Sequence, residues 1–151
     1  MFSGLLAGIL FGCGGSLSKE QQKELIEAKN AQAIKRVTEA QILEKASEEG
    51  RRLVSLADSL KEYSLDSLAD ANHVVIKYLK PDATNAIDIE RQIIGAYLSV
   101  AEENLPENVQ KLGEDSIIYS KPVVKKLPDG VIEVKGVWSV ILSKKQIVLS
   151  I

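Results

Sequence analysis

Few side chains in this sequence are suited to covalent or ligating chemistry. Cys13 is the one soft nucleophile and His73 the one imidazole. A single cysteine excludes an intrachain disulfide framework and any multi-cysteine metal site within the chain. A single histidine excludes the two-His zinc motif of a helix. Carboxylates pair at Asp88 with Glu90, Glu102 with Glu103, and Glu114 with Asp115. Acid–base chemistry needs such acids in a cleft that shifts their pKa values, and each pair fits a helix end or a solvated face instead. Gly12, Gly14 and Gly15 are followed by no Walker lysine and preceded by no core strand, so they do not form a phosphate loop. No catalytic, cofactor-binding or metal-binding residue is assigned, no cofactor is expected, and the chain reads as non-enzymatic. The chemistry left to Cys13 is acylation.

Cys13 lies in a segment that is itself informative. The first eighteen residues carry no charged side chain, and Met1 to Gly15 reads MFSGLLAGILFGCGG. A contiguous apolar surface of this kind marks an interaction site. As a helix, fifteen residues would reach about 22 Å, short of the roughly 30 Å hydrocarbon core, so one copy would lie in the interface or enter partway. Leu5, Leu6, Ile9, Leu10 and Phe11 are the membrane-engaging residues in this reading. Gly4, Gly8 and Gly12 have the spacing G-x-x-x-G-x-x-x-G, which lets helices approach closely in lipid. In a second reading, Leu10-Phe11-Gly12-Cys13 resembles the bacterial lipobox, with Gly14, Gly15 and Ser16 as a tether. That resemblance implies lipidation at Cys13 and a place on the periplasmic face of the outer membrane. A third reading tucks the segment into the protein's own core or a partner's.

Charge is unevenly spread. Lys19 to Glu62 is neutral, with nine basic and nine acidic residues; Tyr63 to Asp115 is −6 and Ser116 to Ile151 is +4. A +4 tail favours an anionic partner or a neighbouring subunit's acidic face, and is too small to argue nucleic-acid binding.

The elements that would carry these residues divide the chain into four stretches: 1–17, an apolar membrane-engaging or anchor segment; 18–63, a long amphipathic helix; 64–115, a helical core; and 116–151, a three-stranded β module. Ser18 and Gln21 fit a capping box at the start of the long helix. Its composition is rich in strong helix formers, its apolar stripe is thin, and Gly50 marks a bend. A second helix is expected over Leu65 to Leu79, ending before Pro81, with His73 buried or half-buried on it. A third starts near Asn85 with Asp88 in its first turn; its apolar residues cover most of its circumference, and Gly95 implies close approach of another backbone. Leu105-Pro106 begins a short fourth helix that Gly113 caps. From Ser116 the period becomes two. Ile117 to Lys126 is an edge strand because of Pro122, Leu127-Pro128-Asp129-Gly130 is a turn, and Ile132 to Leu142 is a second strand. Ile147, Leu149 and Ile151 finish a third, an open edge for the chain or the next subunit to cover. The fold class is α+β: a long N-terminal helix and helical bundle, then a small antiparallel β-meander.

A glycine-rich apolar start running into an Ala/Gln/Lys/Glu helix resembles the internal virion, or ejection, proteins of short-tailed bacteriophages over Met1 to about Ala46. The resemblance implies a homo-oligomeric conduit through the host envelope, with other virion or envelope proteins as partners and nucleic acid only as passing cargo. The protein would move from the virion to the host envelope. The alternative is an envelope lipoprotein anchored at Cys13, with a protein-binding periplasmic domain.

Overall fold

A computed structural model describes residues 17–35, 37–60, 64–100 and 102–151. The chain divides into two units, 1–36 and 37–151. The α+β class holds, with five helices and one four-stranded antiparallel sheet among the described residues.

The single long helix expected over 18–63 is not found. Two helices are described there, α1 (Lys19–Lys35) and α2 (Glu39–Ser59). Each has its own capping box. Ser18 Oγ accepts from the Gln21 N–H and Gln21 Oε1 accepts from the Ser18 N–H; Thr38 and Gln41 repeat the exchange. A reciprocal cap satisfies two otherwise orphaned donors and favours a helix start at that point. In α1, residues 19–30 are all exposed, with the apolar Leu25 and Ile26 set among charged and polar neighbours. α2 instead buries Ile42, Ala46, Leu53, Val54 and Ala57 along one face.

Unit 37–151 is built on the sheet, in the order β1-β4-β3-β2. The strands are β1 (Val75–Leu79), β2 (Asn108–Leu112), β3 (Ser116–Lys126) and β4 (Ile132–Ser143). Successive side chains alternate between faces. Ile76, Ile117, Tyr119, Trp138, Val140 and Leu142 therefore face α2. Leu79, Ile118 and Val137 face α4 (Asp88–Leu98), which adds Ile93, Ile94 and Tyr97. The sheet is thus covered on both faces. This explains why β4 carries apolar residues at odd and even positions alike.

Several expected elements change type. The helix expected over 65–79 stops at Asn72 as α3 (Leu65–Asn72), because His73 takes a left-handed conformation with φ 53° and ends it. His73 is exposed, not buried, and Val75 onward is β1. The fourth helix expected from Pro106 is instead β2, and Gly113, at φ 67°, turns β2 into β3. α4 begins at Asp88, not near Asn85, and buries one face only, with Leu98 49% exposed. Gly95 is exposed with nothing near it, so no backbone approaches it. β3 is an interior strand, but β2 pairs only with Ser116–Ser120, leaving Pro122 beyond the end of β2, where its missing N–H takes no bond from that strand. The turn at 127–130 is present: the Gly130 N–H donates to the Leu127 carbonyl at 2.9 Å and Gly130 has φ 86°.

The third strand expected at the chain's end is also replaced. Ser143 caps a short helix, α5 (Lys144–Leu149). The oligomer edge expected at Ile147, Leu149 and Ile151 is therefore not a strand. Ile147 is buried in the core under α2, while Leu149 is 73% and Ile151 53% exposed. Helical spacing turns 147 and 149 to different sides, and one buried side is enough to hold a six-residue helix.

Candidate functional site

The register aligns four polar residues in a row across the sheet. Lys77 on β1 pairs with Ser139 on β4, Ser139 with Ser120 on β3, and Ser120 with Asn108 on β2. The row lies on the face covered by α4, and Glu90 reaches it from the first turn of that helix. Ser139 Oγ donates to Glu90 Oε1 at 2.7 Å, Lys77 Nζ donates to Oε2 at 2.9 Å, and the Ile87 N–H donates to Oε2 at 2.9 Å. Glu90 is 1% exposed. Burial pushes its carboxyl up, but Ser139, the Ile87 N–H and Lys77 outweigh burial and hold it below the usual carboxylate range. A buried carboxylate this fully bonded ties helix, edge strand and central strand together. Lys77 Nζ also reaches Oε1, at 3.2 Å, so the two oxygens take four donor contacts, which favours a structural role over proton transfer.

A second carboxylate fastens the opposite face. Glu107 Oε2 accepts from Tyr119 Oη at 2.6 Å, and Oε1 accepts from Arg51 Nε at 2.6 Å and Ser47 Oγ at 3.0 Å. Burial raises its pKa, and Tyr119, Arg51 and Ser47 lower it further than burial raises it. Tyr119 is fully buried and its phenol is pushed upward by burial and by Glu107. Next to this cluster Tyr97 donates to the Pro106 carbonyl at 2.8 Å, and burial followed by the nearby Glu107 charge pushes its phenol up to about 12.

Two depressions could receive a ligand. A cleft of about 410 Å³ lies between α4 and β2, with Ile89 and Ile93 along one wall and the carboxamides of Gln92, Asn108 and Gln110 among its lining. A groove of about 490 Å³ lies on the α2 face, lined by Ala57, Leu60, Leu65, Tyr78, Val123 and Trp138, with Asp58 and Lys80 at its rim. Tyr78 and Trp138 are a direct cross-strand pair, with ring centroids 5.0 Å apart at 61°. Gly136 makes room for them: a Cβ there would stand 2.6 Å from the Tyr78 ring and 2.8 Å from the Leu79 carbonyl. Leu60 and Leu65 flank residues 61–63, which lie outside the described residues.

Gly4, Leu5, Leu6, Gly8, Ile9, Leu10, Phe11, Gly12 and Cys13 all lie outside the described residues. Among the expected positions only Ile147, Leu149 and Ile151 are placed; Ile147 is buried, and Leu149 and Ile151 are exposed. Of the three carboxylate pairs, only Asp88 with Glu90 contributes to a buried site. There the expected helix-end role is met by Glu90, whose partners Lys77 and Ser139 are distant in sequence. Among the described residues no helix is long and apolar enough to cross a membrane, and no group of three or more His, Cys, Asp or Glu side chains could hold a metal ion. Compared with protein-family models, curated proteins and solved structures, the chain matches none.

Proposed function

We propose that the chain is a non-enzymatic, membrane-attached protein. Residues 1–16 engage lipid, α1 is a polar spacer along the chain, and residues 37–151 form a folded body that serves protein partners in the envelope. One observation carries this reading. An uncharged apolar segment and a compact body with its own core are separated in sequence by a helix whose residues 19–30 are all exposed. α1 is rich in charged and polar residues and does not gather its apolar ones, Leu25 and Ile26 among them, on one face; such helices bridge parts of a protein through solvent. At 1.5 Å per residue α1 spans about 25 Å.

Attachment has two chemical routes, insertion of the apolar residues and acylation of Cys13. Intact mass separates them, since acylation at a lipobox removes residues 1–12 and adds acyl chains. The test is membrane fractionation of the wild type and of Cys13→Ala. Acylation predicts a wild type that begins at Cys13 with added acyl mass and a variant that keeps residues 1–12 without it; insertion predicts the unmodified full-length mass for both, each membrane-bound. Release of the wild type from membranes contradicts the proposal.

The conduit reading now has narrower support. It calls for one long helix with an apolar stripe and a strand at the chain's end. Those residues form two helices and the short helix α5. The spacing of Gly4, Gly8 and Gly12 still favours self-association in lipid, and a homo-oligomeric ejection protein remains the second reading. Light scattering of the detergent-solubilised chain separates a large ring from a monomer.

A further inference from the structure

We propose that a single buried water completes the polar row beneath α4, held by Ser120 Oγ. Ser120 is 1% exposed, and its hydroxyl has no protein hydrogen-bond partner. Native interiors rarely leave such a group unbonded, and where they do a bound water is a common explanation. The position of Ser120 supports this one. It stands between Ser139 and Asn108 in the cross-strand row. The Ser139 hydroxyl spends its proton on Glu90, which leaves its oxygen lone pairs free to accept. Asn108 is half-buried, lines the 410 Å³ cleft, and offers both amide donors and an acceptor. Buried waters typically make about three hydrogen bonds. Ser120, Ser139 and Asn108 supply three groups of the required kinds. The cleft reaches the row at Asn108, the row's end on β2. The row then runs without interruption from Lys77 through Glu90, Ser139 and the water to Asn108, and α4 is seated on a continuous hydrogen-bonded strip.

The test uses the full chain and reads both the water and the energetics. In nuclear magnetic resonance, a long-lived water should give cross-relaxation to the Ser120 amide and side-chain protons. In a crystal structure, the water should lie about 2.6–3.2 Å from Ser120 Oγ. Ser120→Ala should lower the folding equilibrium constant about five- to tenfold, since it removes one of the water's partners. Asn108→Ala should lower it too, and the double variant should lose less than the product of the two losses, because both act on one water. The proposal is overturned if the constant is unchanged or rises in Ser120→Ala, as expected for a truly orphaned hydroxyl. It is equally overturned if the two losses multiply, or if Ser120 Oγ is found turned onto a protein carbonyl with no water beside it.

Discussion

Gly50 and Gly95 both lie inside helices, but their surroundings call for opposite predictions. Gly50 lies in the buried face of α2, where a Cβ would stand 2.2 Å from the Tyr119 ring. That ring is fully buried and its hydroxyl is fixed to Glu107, so it cannot swing aside. The glycine expected to bend the helix instead admits an aromatic ring. Gly50→Ala should destabilise unit 37–151 by about 2–3 kcal/mol in urea unfolding. Gly95 is exposed on α4 and nothing lies within 4 Å of an added Cβ. Gly95→Ala should stabilise by about 0.5–1 kcal/mol, because only the backbone entropy of glycine is lost. The buried acids give a pH dependence. Glu90 and Glu107 are held below the ordinary glutamate value of 4.5. Their contribution is complete above that value and is lost as pH falls through the folded-state pKa values. Urea midpoints should therefore be flat above about pH 5 and drop under acid conditions. Glu90→Gln should cost about 2–4 kcal/mol at neutral pH, since it leaves the Lys77 ammonium facing a neutral amide, and it should flatten part of the acid limb. A wild-type midpoint that rises on acidification contradicts the assignment.

At the scale of elements, α5 offers the clearest test. A strand ending in Ile147, Leu149 and Ile151 would place all three on one face with similar weight. The helix weights them differently. Ile147→Ala should cost about 2–4 kcal/mol, because Ile147 is buried in the cluster with Ile42 and Leu142. Leu149→Ala should change stability by less than about 0.5 kcal/mol. Equal losses at the two positions contradict the helix. The mistaken elements share a cause. The run Val74–Leu79 is short and apolar, and such runs fit either period; the left-handed His73 decides it, and histidine carries only a weak preference for that conformation. β2 has little alternation of its own and is a strand because β3 is there to pair with it. Pro106 and Gly113 therefore looked like helix ends. Ile147 is drawn into the core by its tertiary contacts, which no local pattern records. Features with a local chemical cause were legible: the Ser18 box, the 127–130 turn and the alternation of β4. The Thr38-to-Gln41 box was equally legible and accounts for the start of α2. Of the buried site, the helix-end role of the Asp88 and Glu90 pair could be read in advance. Its partners Lys77, Ser139 and Ser120 could not, because register brings them together and sequence spacing does not.

At the scale of the whole molecule, the proposed attachment through residues 1–16 is separate from folding. Unit 37–151 closes its own core on both faces of the sheet, and none of its described core residues comes from residues 1–36. A chain lacking residues 2–15 should thus unfold at the wild-type urea concentration. The most direct measurement is membrane partitioning of these two chains, made in a bacterial host and fractionated side by side. The wild type should sediment with membranes, and the shortened chain should stay in the supernatant with its unfolding midpoint unchanged. Equal sedimentation of both chains, or failure of the wild type to sediment, would contradict the claim that residues 1–16 engage lipid.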